Sequence, residues 1–418
     1  MTLKVKPFTL FLYAVLLAVL LLGWQVLFKN KNPRDLTDLL EPLFRKKSEW
    51  TGLITLWNVN FIECGTGSNT RWLNLQIERF EKQNPGVFID VRNITPSRVK
   101  MYFQGNERES LLPDIIALPV YEDIIPEGLL VDLHEFFGQE DLKRLNPIAY
   151  KHVIRDGRLI GVPYMMGAYA ILFNLQLAHE SGVVIPEGQL DFAFLDSAVR
   201  AMTFTEKKGK TEKQYYGFCT YSTPYSRPLL SIIYGDREKI VNESAYGYLI
   251  RWHNIGALPS GMMDFSYNQA WDLFAGQGKV GIMLASTRAI YQMRALQQAG
   301  KGFDIAVKAL PYHGSGMFLD QVAAFGILRT DDRIKLELCV SFLKGLLKDR
   351  AQRELKTVGM FPVINGIDDI YADDPQMHQL ETSLKNFIYG PGDEQVLRIL
   401  ENQYDRLKRQ LNVQGVGH

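Results

Sequence analysis

Several kinds of chemistry are excluded by what the chain lacks. It has only three cysteines, Cys64, Cys219 and Cys339, too far apart for a disulfide framework or a CxxC metal site. They read instead as small buried thiols. None of the seven histidines falls in an HExxH or other i, i+4 ligand pair, which argues against a structural or catalytic zinc. Neither charge sign is in excess: Lys+Arg 47 against Asp+Glu 46 leaves a net charge of +1. No global field therefore recruits nucleic acid or an anionic membrane surface, and recognition must be local. GxSxG and P-loop patterns are missing, and Glu122, Asp264 and Asp320 show no paired spacing of the kind glycoside hydrolysis needs. These absences argue against an enzyme and against a bound cofactor.

What is present is a globular composition, 46% hydrophobic and 22% charged. A length of 418 residues exceeds what one core supports, so two lobes are expected. The one long apolar run is Phe8 to Phe28, uncharged and flanked by Lys4 and Lys6 before it and Lys29 and Lys31 after it. As a helix it just spans a hydrocarbon core of ~30 Å. Its exit, Trp24 to Phe28, is bulky where a cleavage site would be small, so an uncleaved anchor over residues 1–31 is expected. Residues 32–51, with Pro33 and Pro42, read as a linker. The short amino tail fits a single-pass cell-membrane protein whose body faces the extracellular side.

The body alternates strand and helix from Gly52. Leu53–Trp57, Val87–Val91 and Asp114–Leu118 read as strands, and Arg71–Gln83 and Ser97–Glu109 as helices between them. That order predicts a parallel sheet with right-handed crossovers, an α/β fold. Ligands of such sheets sit outside the carboxyl ends of the strands, here Trp57–Asn60 and Leu118–Tyr121. Gly157–Asn174 then packs a tight turn at Asp156-Gly157, a short strand over Leu159–Val162 stopped by Pro163, and a buried strand over Ala170–Phe173. The aromatics and glycine of Tyr164–Tyr169 lie between them, at a strand mouth. Lys279–Leu284 gives another strand, ending at Ala285–Arg288. Leu129–Phe137 reads as a helix or strand-helix, and Lys207–Lys210 as a solvated turn. The chain is mainly helical from Ile334 onward.

The order of these features resembles the family 1 extracellular solute-binding proteins of ABC importers, in the carbohydrate group that includes maltodextrin and multiple-sugar receptors. The resemblance is carried by Ile54–Trp57, Phe80–Val87 (FEKQNPGV), Pro113–Ile115, Gly128–Leu133, Gly157–Asn174, Phe274–Met283, Ala309–Pro311, Phe342–Lys344 and Gly359–Val363, which together cover about residues 52–411. It implies a two-lobed periplasmic-binding-protein-like fold with crossover hinge strands. The first part of lobe 1 would be 52–163, and 164–411 would hold lobe 2 and the return of the chain to lobe 1, before a tail at 412–418. It also implies a small-molecule solute of the carbohydrate class and ABC permease subunits as partners. Carried over by position, the solute-facing residues would be Asn58, Asn60, Tyr121, Gly167, Tyr169, Thr287, Arg288 and Phe361. Two departures stand out: Gly167, Leu118 and Thr287 offer no acid where maltodextrin receptors often have one, and a transmembrane helix replaces the lipid-bearing cysteine. A membrane-tethered sensor or scaffold with the same fold is the alternative.

Overall fold

The computed structural model describes residues 50–104, 112–121, 124–235, 238–311 and 317–413. The expected anchor at Phe8–Phe28 and the linker up to Glu49 lie outside the described residues. Among those described, no helix is long and apolar enough to cross a membrane.

Two five-stranded sheets carry the body. In the first the order is Val87–Ile94, Gly52–Val59, Ile115–Leu118, Val322–Ile327, Val162–Met166. The first three strands are parallel, as the strand-helix alternation predicts, and the last two join antiparallel. The helix Thr70–Gln83 buries Trp72, Leu73, Ile77 and Phe80, and the Trp72 indole donates to the Ala351 carbonyl at 2.7 Å. Pro163 does not stop its strand. It sits inside Val162–Met166, which is an edge strand, where a missing N–H costs no ladder hydrogen bond. The turn before it is as expected: Asp156 (φ 45°) and Gly157 (φ 74°) are both left-handed, closing a hairpin between Ile154–Arg155 and Arg158–Leu159. Leu129–Phe137 forms no α-helix, only short 3₁₀ turns at Glu127–Leu129 and His134–Phe136, because its backbone bonds elsewhere: Leu129 accepts from Arg329, Val131 donates to Ile327 and Leu133 to Leu159.

The second sheet runs Ile305–Lys308, Tyr169–Asn174, Val280–Ser286, Thr211–Cys219, Phe204–Lys208. Its central strands, Tyr169–Asn174 and Val280–Ser286, are buried at every position, which explains their unbroken apolar runs. The lysine run holds the expected exposed turn, which closes a hairpin: Phe204–Lys208 pairs with Thr211–Cys219 and turns at Gly209 (φ 63°). Lysines on this edge strand discourage further pairing. A GxGxxG spacing at Gly276, Gly278 and Gly281 leads from helix into strand, the reverse of the order a dinucleotide fingerprint requires.

Among the described residues the chain passes between the sheets at three places. Gly167-Ala168 link Met166 directly to Tyr169; Leu319–Gln321 lead into Val322; and Gly359–Phe361 leads from the helices of the first lobe back to the second. Helices Arg333–Leu346 and Asp349–Arg353 belong to the first lobe, while the last helix, Glu394–Val413, packs on Pro228–Ile233 and Glu243–Asn254 of the second. All three cysteines are free and buried.

Candidate functional site

The three crossings lie against one another. Met166 and Phe361 exchange backbone hydrogen bonds of 2.9 and 2.8 Å, and the Gly167 amide donates to the Gln321 carbonyl at 2.8 Å. Thr287 clamps two crossings at once: its amide donates to Ala168 and its hydroxyl to Gly359. Gly65 and Gly359 touch backbone to backbone, so a Cβ on either would come within 2.8 Å of the other's Cα.

Two buried carboxylates hold the rims on either side together. Asp320, fully buried at the end of the second crossing, accepts from the Tyr169 hydroxyl at 2.5 Å, the Tyr121 hydroxyl, the Arg227 amide at 2.9 Å and the Gln321 side chain at 3.1 Å. Burial first, and then the Asp320 charge, push the Tyr121 and Tyr169 phenols well above their ordinary range, so both remain donors. Glu63, on the turn after the first strand, accepts from the Tyr221 hydroxyl at 2.5 Å and the Ser286 hydroxyl at 2.7 Å. Arg288 lies 3.9 Å from its other oxygen. Desolvation raises the Glu63 carboxyl above the usual range in spite of these donors.

Aromatic faces complete the crevice. The Arg288 guanidinium stacks 4.4 Å from the Tyr267 ring, and its Nε is buried with no hydrogen-bond partner among the described residues. Arg227 covers the Tyr121 ring at 4.6 Å and pairs with Glu401 at 2.6 Å. Phe61, from the first lobe, meets Tyr225, from the second, edge to face at 5.0 Å. The site therefore gathers carboxylates, phenols, a guanidinium and flat aromatic rings, with the oxygens of Asp320 already taken by four donors.

Of the residues read from the sequence, Tyr121, Tyr169 and Arg288 belong to this cluster. Gly167, Thr287 and Phe361 build the crossings, and Phe361 is fully buried against Tyr371. Asn58 is buried in an amide network with Asn69 and Asn93, while Asn60 is exposed beside a cavity of about 10 Å³. Sequence reasoning missed Glu63, Tyr221, Ser226, Arg227, Tyr267, Ser286 and Gln321, and gave Asp320 no partner. The one available signal was position: Glu63 follows a strand end and Asp320-Gln321 precede the strand Val322–Ile327. A larger cleft, about 890 Å³, lies on the first lobe near Trp57, Arg92, Arg329 and Lys335. Its half-buried acid, Asp114, is already held by Thr55 and Lys335.

Two α/β lobes, three crossings and a polar, aromatic crevice where they meet define the two-lobed solute-binding-protein fold. Solved structures similar to this chain in fold include proteins that bind carbohydrates. An ABC substrate-binding protein of Listeria monocytogenes in complex with cycloalternan is 19% identical, with 87% of this chain and 94% of that one covered and a TM-score of 0.63. The GacH receptor of Streptomyces glaucescens, solved unliganded and with acarbose, is also 19% identical over 87% and 94%, with a TM-score of 0.64. A sugar transporter of Rhizobium etli in an open conformation is 14% identical over 87% and 98%, with a TM-score of 0.59. No protein-family model and no curated protein matches the chain.

Proposed function

We propose that this chain is a solute-binding receptor of an ABC importer that captures a sugar or oligosaccharide between its lobes, held at the outer face of the cell membrane by Phe8–Phe28. The observation that carries the reading is the convergence of Glu63, Asp320 and Arg288 with Tyr121, Tyr169, Tyr221 and Tyr267 at the three crossings. Aromatic faces cover the apolar side of a pyranose, and planar charged groups hydrogen-bond its hydroxyls. The unpartnered Arg288 Nε is a donor left for such a hydroxyl. The likeness to sugar-binding receptors of the same fold supports this reading.

Binding rather than hydrolysis is the reading that Asp320 supports. Four donors saturate Asp320, leaving no lone pair for a substrate proton or an anomeric carbon. Capture takes place by lobe closure, in which solute replaces the bonds that Glu63 makes to Tyr221 and Ser286; closure follows only because the closed form binds solute better. The tethered sensor or scaffold is the second reading, favoured by the rims' satisfying each other's polar groups directly.

A thermal-shift panel of mono- and oligosaccharides, polyols and sugar acids tests the receptor. A true ligand at 100-fold its dissociation constant adds ~2.7 kcal/mol, seen as a raised midpoint. A folded body that shifts with none of them overturns the sugar reading. Fractionation of cells expressing the full chain tests the tether: it is retained in the membrane pellet after alkaline washing, and release into the wash contradicts it.

A further inference from the structure

Away from the crevice, Asp369, His378 and Glu381 converge where a loop meets the helix Pro375–Ser383. His378 and Glu381 share a helix face at i, i+3 spacing. Asp369, at a left-handed φ of 59°, turns the preceding loop back toward them. The ligand atoms of all three lie within 4.8 Å of one another. His378 Nδ1 is 3.8 Å from an Asp369 oxygen and 3.4 Å from an Glu381 oxygen. Two ligands on a tetrahedral ion with bonds of about 2.0–2.1 Å stand about 3.4 Å apart, so only small side-chain shifts separate this arrangement from a coordination sphere.

Two further features point to a ligand. His378 Nδ1 is buried and makes no hydrogen bond among the described residues. Glu381 is itself largely buried, and its oxygens are oriented by the amides of Ile370 at 2.9 Å and Tyr371 at 3.3 Å, the outer-shell support that ligating carboxylates need. We propose that Asp369, His378 and Glu381 form a binding site for a divalent transition metal of the zinc type. One imidazole and two carboxylates suit such an ion better than calcium or magnesium, which favour all-oxygen sites. The exposed side of Asp369 leaves room for a water as fourth ligand.

The ion would pin the loop that carries Tyr371. That residue's hydroxyl donates to the Met360 carbonyl at 2.9 Å and its ring packs on Phe361, so the site backs the third crossing. The proposal stands whether or not the crevice takes a sugar.

The test is calorimetric titration of Zn²⁺ into the untagged, full-length, chelator-stripped protein in detergent, alongside His378→Gln and Asp369→Asn. Asparagine tolerates the left-handed backbone at 369, so that variant removes a charge without straining the turn. The wild type binds one equivalent, and saturating Zn²⁺ raises its melting midpoint by a few degrees. Each variant binds at least about tenfold more weakly, with an unchanged midpoint in chelator. No one-equivalent binding by the wild type overturns the proposal. So does binding unchanged in both variants, which would move the zinc to another histidine such as His134, 3.0 Å from Asp132.

Discussion

His152 is buried with neither ring nitrogen hydrogen-bonded to a described residue, beside a cavity of about 20 Å³ among Leu118, Ile125, Leu130 and Ile160. Burial, with Arg155 nearby, pulls its pKa from 6.5 down to about 3. The unfolded chain takes up this proton near pH 6.5 and the folded one only near 3, so its contribution is complete above 6.5 and is lost as pH falls between them. His152→Leu is expected to flatten that slope and to raise stability at neutral pH by about 1 kcal/mol, read from urea unfolding at several pH values. Glu63 has the opposite sign: its raised pKa gives stability below the ordinary carboxylate range that is lost as pH climbs through the folded value. Glu63→Ala strips the acceptor from Tyr221 and Ser286 and is expected to cost about 2 kcal/mol in the same assay, since buried hydroxyls are left unpaired. At this scale the sequence was half legible. The family resemblance named Tyr169 and Arg288 as solute-facing, at strand mouths that the apolar runs also mark. Glu63, and Asp369 beside His378, lie on irregular backbone, and only the fold brings their partners to them.

Among the elements, one buried side chain ties helix to strand. Gln352 donates to the carbonyls of Tyr164 and Leu346 and accepts from the Val363 amide. Gln352→Ala leaves three buried backbone groups without partners and is expected to lower stability by about 3 kcal/mol, measured by chemical denaturation. A loss under 1 kcal/mol would mean that other groups replace it. The first parallel strands and their helix could be read directly, since Trp72, Leu73, Ile77 and Phe80 mark one helix face. Pro163 was misread as a strand stop because it lies on an edge strand, where proline is tolerated, and edge position depends on the sheet order rather than on local sequence. The solvated turn read at Lys207–Lys210 is present at Gly209-Lys210.

For the whole molecule, strand-helix alternation pointed to an α/β fold, and the family resemblance pointed to two lobes and their crossings. Composition could not show how the rims meet, because that contact is made by single residues from segments far apart in the chain: Glu63 with Tyr221 and Ser286, and Asp320 with Tyr121 and Tyr169. The proposed function rests on this crevice, and the most direct test is calorimetric titration of the saccharides that shift the melting midpoint into wild type and Arg288→Ala. Arg288 is partly exposed, and its Nε bonds to no described residue, so its loss should leave the fold intact. The account predicts one saccharide bound per chain and at least tenfold weaker binding in the variant, about 1.4 kcal/mol, with an unchanged melting midpoint. A folded wild type that binds no saccharide, or a variant that binds one equally well, would contradict it.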